Sequence, residues 1–253
     1  MKRKVNENSG IMVHSVVSKY QKMEQKIRVL LPCNYSRKKK IRTLYVLPVE
    51  TGSNSKFGDA LEILKKMDTH NKYNTIIVQP EFEKMPWYGD HPKNLKIRQE
   101  SYFADFVIPF IEKHYGAKAG KYHRYLLGFS KSGFGAFSLI FRNSGIIGFA
   151  AAYDAPFFFY GLHLFNMDKI FGDMGNFKLF RPDLCVLKTG RNFKTKTRLV
   201  LSGENQLWGK DVKLMHSFLQ NAGIKHIWIN TPKVEHKWDK KWLEPVLNKL
   251  MEC

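Results

Sequence analysis

Leu126-Leu127-Gly128-Phe129-Ser130-Lys131-Ser132-Gly133-Phe134-Gly135-Ala136 is an apolar run that leads into a serine among small residues and then into a helix-compatible stretch. A serine hydroxyl becomes a usable nucleophile when its backbone is held at a sharp strand-to-helix turn, and that turn needs small neighbours so that the two elements can pack closely. The usual pattern is G-x-S-x-G. Here the position two after the serine is Ser132, and the second glycine is delayed to Gly133. Ser130 is therefore a candidate nucleophile whose support must come from the rest of the chain.

Outward from this stretch, strand and helix patterns alternate. Strands are expected over 12–19, 26–32 and 41–48, where β-branched residues sit between charged or turn-forming stretches. A helix over 56–70, a buried-type strand over 74–78 and a long amphipathic helix over 97–115 follow, with a kink or boundary at Pro109. Then come a strand over 124–129, a helix over 132–142 and a strand over 148–153 that ends at Asp154. After an irregular, aromatic insertion at about 155–195, the alternation resumes with strands over 197–202 and 226–230 and helices over 211–220 and 238–250. This order predicts one domain spanning 1–253, an α/β fold whose mostly parallel, doubly wound sheet has an antiparallel N-terminal start.

A chain of 253 residues with 43% hydrophobic content is long enough for such a domain, with its sheet covered on both faces. No run approaches the roughly 20 apolar residues that span a bilayer, and the start Met1-Lys2-Arg3-Lys4 with the short run 11–17 is not read as a signal peptide. Cys33, Cys185 and Cys253 are odd in number, widely spaced and without a CxxC pair, as expected of reduced thiols in a cytoplasmic protein with no metal site. The net charge of +20 invites a nucleic-acid reading. Its only tight cluster, Arg37-Lys38-Lys39-Lys40, falls in an expected hairpin loop, and no zinc finger, phosphate loop or aromatic RNA-binding strand accompanies it. No specific nucleic-acid binding is expected, and nothing in the pattern speaks to oligomeric state.

In open α/β sheets, ligand sites form at the C-terminal ends of the strands, where Ser130 falls. A serine nucleophile needs an imidazole to take its proton and a carboxylate to orient that imidazole. His236, in Pro232-Lys233-Val234-Glu235-His236-Lys237-Trp238, follows the last expected strand and reaches the same edge. Two carboxylates compete for the third role. Asp154 ends the strand after the serine's helix, and Glu204 follows the strand over 197–202; an aspartate expected three residues after Gly203 is replaced by Gln206. The oxyanion donors would be the backbone N–H of Lys131 and that of Val49 or Glu50, since Pro48 has none to give. Trp87 and Tyr88 are candidate walls of a substrate pocket.

With these residues assembled, the chain resembles the esterase family of α/β-hydrolases that includes esterase D and the mycolyltransferase-type acyltransferases. The likeness covers most of the chain. It rests on Val29-Leu30-Leu31-Pro32 leading to Leu44-Tyr45-Val46-Leu47-Pro48, on Trp87-Tyr88-Gly89-Asp90, and on Glu100-Ser101-Tyr102-Phe103 through Ile111-Glu112-Lys113-His114-Tyr115. Gly128-Phe129-Ser130-Lys131-Ser132-Gly133 and His236-Lys237-Trp238 with Trp242 complete it. The resemblance implies an α/β-hydrolase fold, a nucleophile at Ser130, a base at His236, a small-molecule ester substrate, and hydrolysis or acyl transfer without a cofactor. Two departures stand out: Pro48-Val49-Glu50 replaces the family's His-Gly after the third strand, and Gln206 replaces the acid. They keep open an alternative, a non-catalytic hydrolase-fold protein that binds partners through its basic surface.

Overall fold

The charged stretch β1 (Arg3–Asn6) is followed by strands richer in apolar residues, β2 (Ile11–Val16), β3 (Gln25–Leu30) and β4 (Thr43–Val46). The structure, a computed structural model, describes residues 3–6, 10–52 and 56–253, so Met1 and Lys2 of the charged start lie outside the described residues. Helices α1 (Ala60–Lys66) and α2 (Thr69–Lys72) lead to β5 (Ile76–Pro80). A single helical rod then runs through α3 (Gln99–Ser101), a π-helical stretch Tyr102–Val107 and α4 (Ile108–Tyr115). Pro109 has no N–H to give to the preceding turn, and the wide π turns end where α4 begins, so the expected boundary takes this form.

The second half alternates: β6 (Arg124–Phe129), α5 (Lys131–Arg142), β7 (Phe149–Tyr153), α6 (Met167–Phe171), α7 (Met174–Lys178), α8 (Pro182–Thr189), β8 (Leu199–Ser202), α9 (Gly209–Asn221), β9 (Ile227–Ile229) and α10 (Lys240–Glu252). Among the described residues the strands form one sheet in the order β1-β2-β3-β5-β4-β6-β7-β8-β9. The pairs from β1 to β5 are antiparallel, and those from β5 through β4 to β9 are parallel. This is the α/β-hydrolase fold, with the antiparallel start and parallel remainder that the sequence predicts.

Side chains of the central strands alternate between two cores. Leu126 of β6 faces the core built with the rod 99–115, α5, α8 and α9, whereas Tyr125, Leu127 and Phe129 face the core built with α1 and α10. In β7, Ala150 and Ala152 face the first core, and Phe149, Ala151 and Tyr153 the second. Period-two alternation with both faces buried is what a parallel sheet between helical layers demands. Small residues in β7 and just after it let α5 lie close: a Cβ on Gly133 would stand 3.5 Å from that of Ala152 and 2.7 Å from that of Ala155.

Three expectations are corrected. Residues 31–42 are not a hairpin loop, because β5 lies between β3 and β4; they are a crossover that places the basic cluster at the N-terminal edge of the parallel strands, opposite Ser130. The insertion is irregular only in part: 155–166 has no helix or strand, but α6, α7 and α8 follow, and Phe159, Met167, Ile170, Phe171, Phe177 and Phe180 join Trp87 and Phe134 in a third apolar core. The sheet also gains β1, which the sequence reading leaves out. No helix among the described residues is long and apolar enough to cross a membrane.

Candidate active site

The chain leaves β6 and enters α5 through a single residue, Ser130, with φ 54° and ψ −129°. A residue with a side chain is strained by about 1–3 kcal/mol in this region, and such strain persists only where the surroundings impose it. Here they do so from both sides. The Ser130 N–H donates to Tyr153 O at 3.0 Å, extending the β6–β7 ladder, while the Ser130 carbonyl accepts from Gly133 and Phe134 as α5 begins.

Ser132, which stands where the usual pattern has glycine, closes the turn. Its Oγ accepts from the Phe129 N–H at 2.9 Å and donates to the Phe129 carbonyl at 2.8 Å, fully buried. We expect Ser132→Ala to leave both backbone groups without this partner. The cost should be about 1–3 kcal/mol for each group left unsatisfied. A thermal melt should show it as a drop of about 2–4 °C per kcal/mol; an unchanged midpoint would rule out this role.

Three strand ends converge on Ser130. His236 lies in the loop after β9, and its Nε2 stands 3.0 Å from Ser130 Oγ. Its Nδ1 stands 2.5 Å from Asp154 Oδ2, and Asp154 follows β7 directly. A carboxylate only accepts, so Nδ1 carries the imidazole proton and Nε2 is left to accept from the serine hydroxyl. The second oxygen of Asp154 is also engaged: Oδ1 accepts from the Trp208 N–H at 2.7 Å. Phe129 and Phe57 flank the imidazole, with ring centroids 4.6 and 5.5 Å away.

Of the two competing carboxylates, the structure brings Asp154 to His236, while Glu204 Oε1 accepts from the amide of its neighbour Asn205 instead. Gly203 explains the difference. It has φ 106°, and a Cβ there would lie 2.4 Å from Asp154 N, so the end of β8 gives way for Asp154 to sit 1% exposed. Gln206, in place of the expected aspartate, has a different task. Its Nε2 donates to Pro232 O at 2.9 Å and its Oε1 accepts from Val234 N–H at 3.2 Å, which pins the loop carrying His236.

Lys131 opens α5, so its N–H has no intrahelical acceptor and sits at the positive end of the helix dipole. Val49 and Glu50 follow β4, the neighbour of β6, and so lie at the same sheet edge. Their loop is held by Tyr88, whose hydroxyl donates to Pro48 O at 2.5 Å. Trp87 and Tyr88 themselves are not pocket walls: both are fully buried, and both backbone N–H groups donate to Gln99 Oε1, at 2.9 and 2.8 Å. The packing needs of two large rings beside the insertion core outweigh exposure to a ligand. Sequence reading misses the roles of Ser132, Phe57, Trp208 and Gln206; the displaced glycine and the missing aspartate were the signals that marked two of them.

The fold and site together define an α/β-hydrolase-fold protein with a serine, a histidine and an aspartate joined at its strand ends. No known protein family and no curated protein sequence matches the chain. Solved structures do share its fold. A ferulic acid esterase is 18% identical with a TM-score of 0.75, over 96% of each chain. An S-formylglutathione hydrolase from Agrobacterium tumefaciens is 13% identical with a TM-score of 0.74, over 100% of this chain and 95% of its own. A fluorophosphonate-binding serine hydrolase of Staphylococcus aureus is 13% identical with a TM-score of 0.74, over 96% and 97%. These neighbours are of the esterase type that the sequence resembles.

Proposed function

We propose that this protein is a serine hydrolase that cleaves a carboxylic ester through an acyl-enzyme on Ser130. The observation that carries the reading is the unbroken series Ser130 Oγ, His236 Nε2, His236 Nδ1, Asp154 Oδ2, with steps of 3.0 and 2.5 Å at either end of the imidazole. Three separate strand ends supply it, and Ser130 keeps a strained backbone to take part.

Ser130 Oγ attacks the ester carbonyl as its proton passes to His236 Nε2, and Asp154 stabilises the imidazolium through Nδ1–H. The Lys131 N–H and that of Val49 or Glu50 meet the developing oxyanion. His236 then gives its proton to the departing alkoxide. A water molecule attacks the acyl-enzyme, with His236 again the base, and releases the acid; an alcohol in place of water gives acyl transfer. The reading calls for no metal or organic cofactor. A small ester is the substrate, and the three unpaired thiols, Cys33, Cys185 and Cys253, suit a reducing, cytoplasmic compartment. The basic cluster at the opposite sheet edge plays no part in the site, and no observation favours the partner-binding alternative.

Labelling with a fluorophosphonate probe is the direct test. The wild-type protein should form a covalent adduct that maps to Ser130, and prior denaturation should abolish it. Failure of the folded protein to label would remove the acyl-enzyme reading.

A further inference from the structure

Lys131, the residue directly after Ser130, carries a cation where three effects oppose one. It occupies the first turn of α5, whose dipole repels positive charge. It is only 8% exposed, and burial, the largest cause, pulls its ammonium below the usual lysine range, with Lys56 acting in the same direction. Its compensations are weak. Nζ lies 5.4 Å over the Phe165 ring, and the opposing charge that acts on it is that of Glu50. Among the described residues Lys131 forms no ion pair and no side-chain hydrogen bond. Phe165 belongs to the insertion after β7 and Glu50 to the loop after β4, the segments that flank Ser130 from either side. The side chain that directly follows the nucleophile thus meets Phe165 from one of these segments and the charge of Glu50 from the other.

We propose that Lys131 is a specificity-determining residue whose ammonium pairs with a carboxylate on the substrate, so that the preferred esters are anionic ones. The inference rests on the serine hydrolase reading. A bound carboxylate would offset at once the helix dipole, the burial and the repulsion from Lys56, which gives the side chain a reason to remain there. The cation–π contact with Phe165 keeps the ammonium oriented in the absence of substrate.

Two matched ester pairs test it and separate the acyl side from the alcohol side. Mono-4-nitrophenyl succinate is compared with its neutral methyl ester, and 4-acetoxybenzoate with methyl 4-acetoxybenzoate. For at least one pair, the wild-type protein should show kcat/KM about tenfold higher for the anion, a preference that falls as salt is added. Lys131→Met should bring the ratio to about one or below, and Lys131→Arg should keep it. Because the readout is a ratio, any loss of catalysis common to both esters cancels. A ratio near one in the wild type for both pairs overturns the proposal, as does a preference that survives in Lys131→Met. Hydrolysis of none of the four esters overturns it too, and the fluorophosphonate adduct then decides separately whether Ser130 is a nucleophile. Turnover that persists in Ser130→Ala would instead sink the serine hydrolase reading.

Discussion

Ser130→Ala is expected to lower kcat/KM for any ester the protein turns over by about 10⁴-fold or more, and to abolish the fluorophosphonate adduct. The hydroxyl is the proposed nucleophile, so its removal leaves only what substrate binding and the oxyanion donors can do for a bound water. The fold should tolerate the change. Alanine keeps the Cβ at φ 54° and loses one hydrogen bond, the 3.0 Å contact to His236 Nε2, worth about 0.5–1.5 kcal/mol. Ser130→Gly separates function from strain. Glycine adopts this backbone freely, so the variant should be as inactive as the alanine form yet melt about 2–4 °C higher for each kcal/mol of strain relieved. A Ser130→Ala protein that keeps a tenth of its activity would show that the hydroxyl is not the nucleophile.

What could be read along the chain was what the chain determines locally. The strand expected over 124–129 coincides with β6, because five of its six residues are buried and its end is marked by Ser130. The π-helical stretch and α4 meet beside Pro109, which removes an N–H wherever it stands. Three features escaped because they depend on contacts between distant segments. The crossover between β3 and β4 looks like a hairpin until β5 inserts between them. Helices α6 and α7, of five residues each, are too short to show a periodicity, and they hold together through the aromatic core around Phe171 and Phe177. Trp87 and Tyr88 resemble a pocket lining in sequence, but the amide of Gln99, eleven and twelve residues further on, fixes their backbone and turns both rings inward.

The choice of acid shows the same boundary between local and distant information. Asp154 and Glu204 each follow a strand at the same edge, and no local pattern separates them. The distinction comes from Gly203, whose missing side chain makes room for Asp154, and from Trp208, whose N–H takes the oxygen that His236 does not use. Gln206 shows how a departure from a family pattern can be reassigned rather than lost. Its amide both donates and accepts across the 231–236 loop, which an aspartate's two acceptor oxygens would not do with Pro232 O as one partner.

Asp154→Asn should lower kcat by about 10³–10⁴-fold while the melting temperature stays close to that of the wild type. The two oxygens of Asp154 have different partners, and asparagine treats them differently. Its carbonyl oxygen can still accept from the Trp208 N–H, so the end of β7 keeps its tie to the start of α9. Its amide nitrogen would face His236 Nδ1 and donate to it, which drives the imidazole proton to Nε2 and leaves no acceptor for the Ser130 hydroxyl. Substitution by alanine would also strand the Trp208 N–H, so a lower melting point in Asp154→Ala than in Asp154→Asn should accompany a similar loss of rate. Glu204→Gln provides the contrast. Among the described residues its Oε2 is buried without a hydrogen-bond partner and its Oε1 accepts from Asn205, so kcat should stay within about threefold of the wild type. Steady-state rates and thermal melts of the three variants decide between the carboxylates: a Glu204→Gln enzyme slower than Asp154→Asn would transfer the orienting role to Glu204.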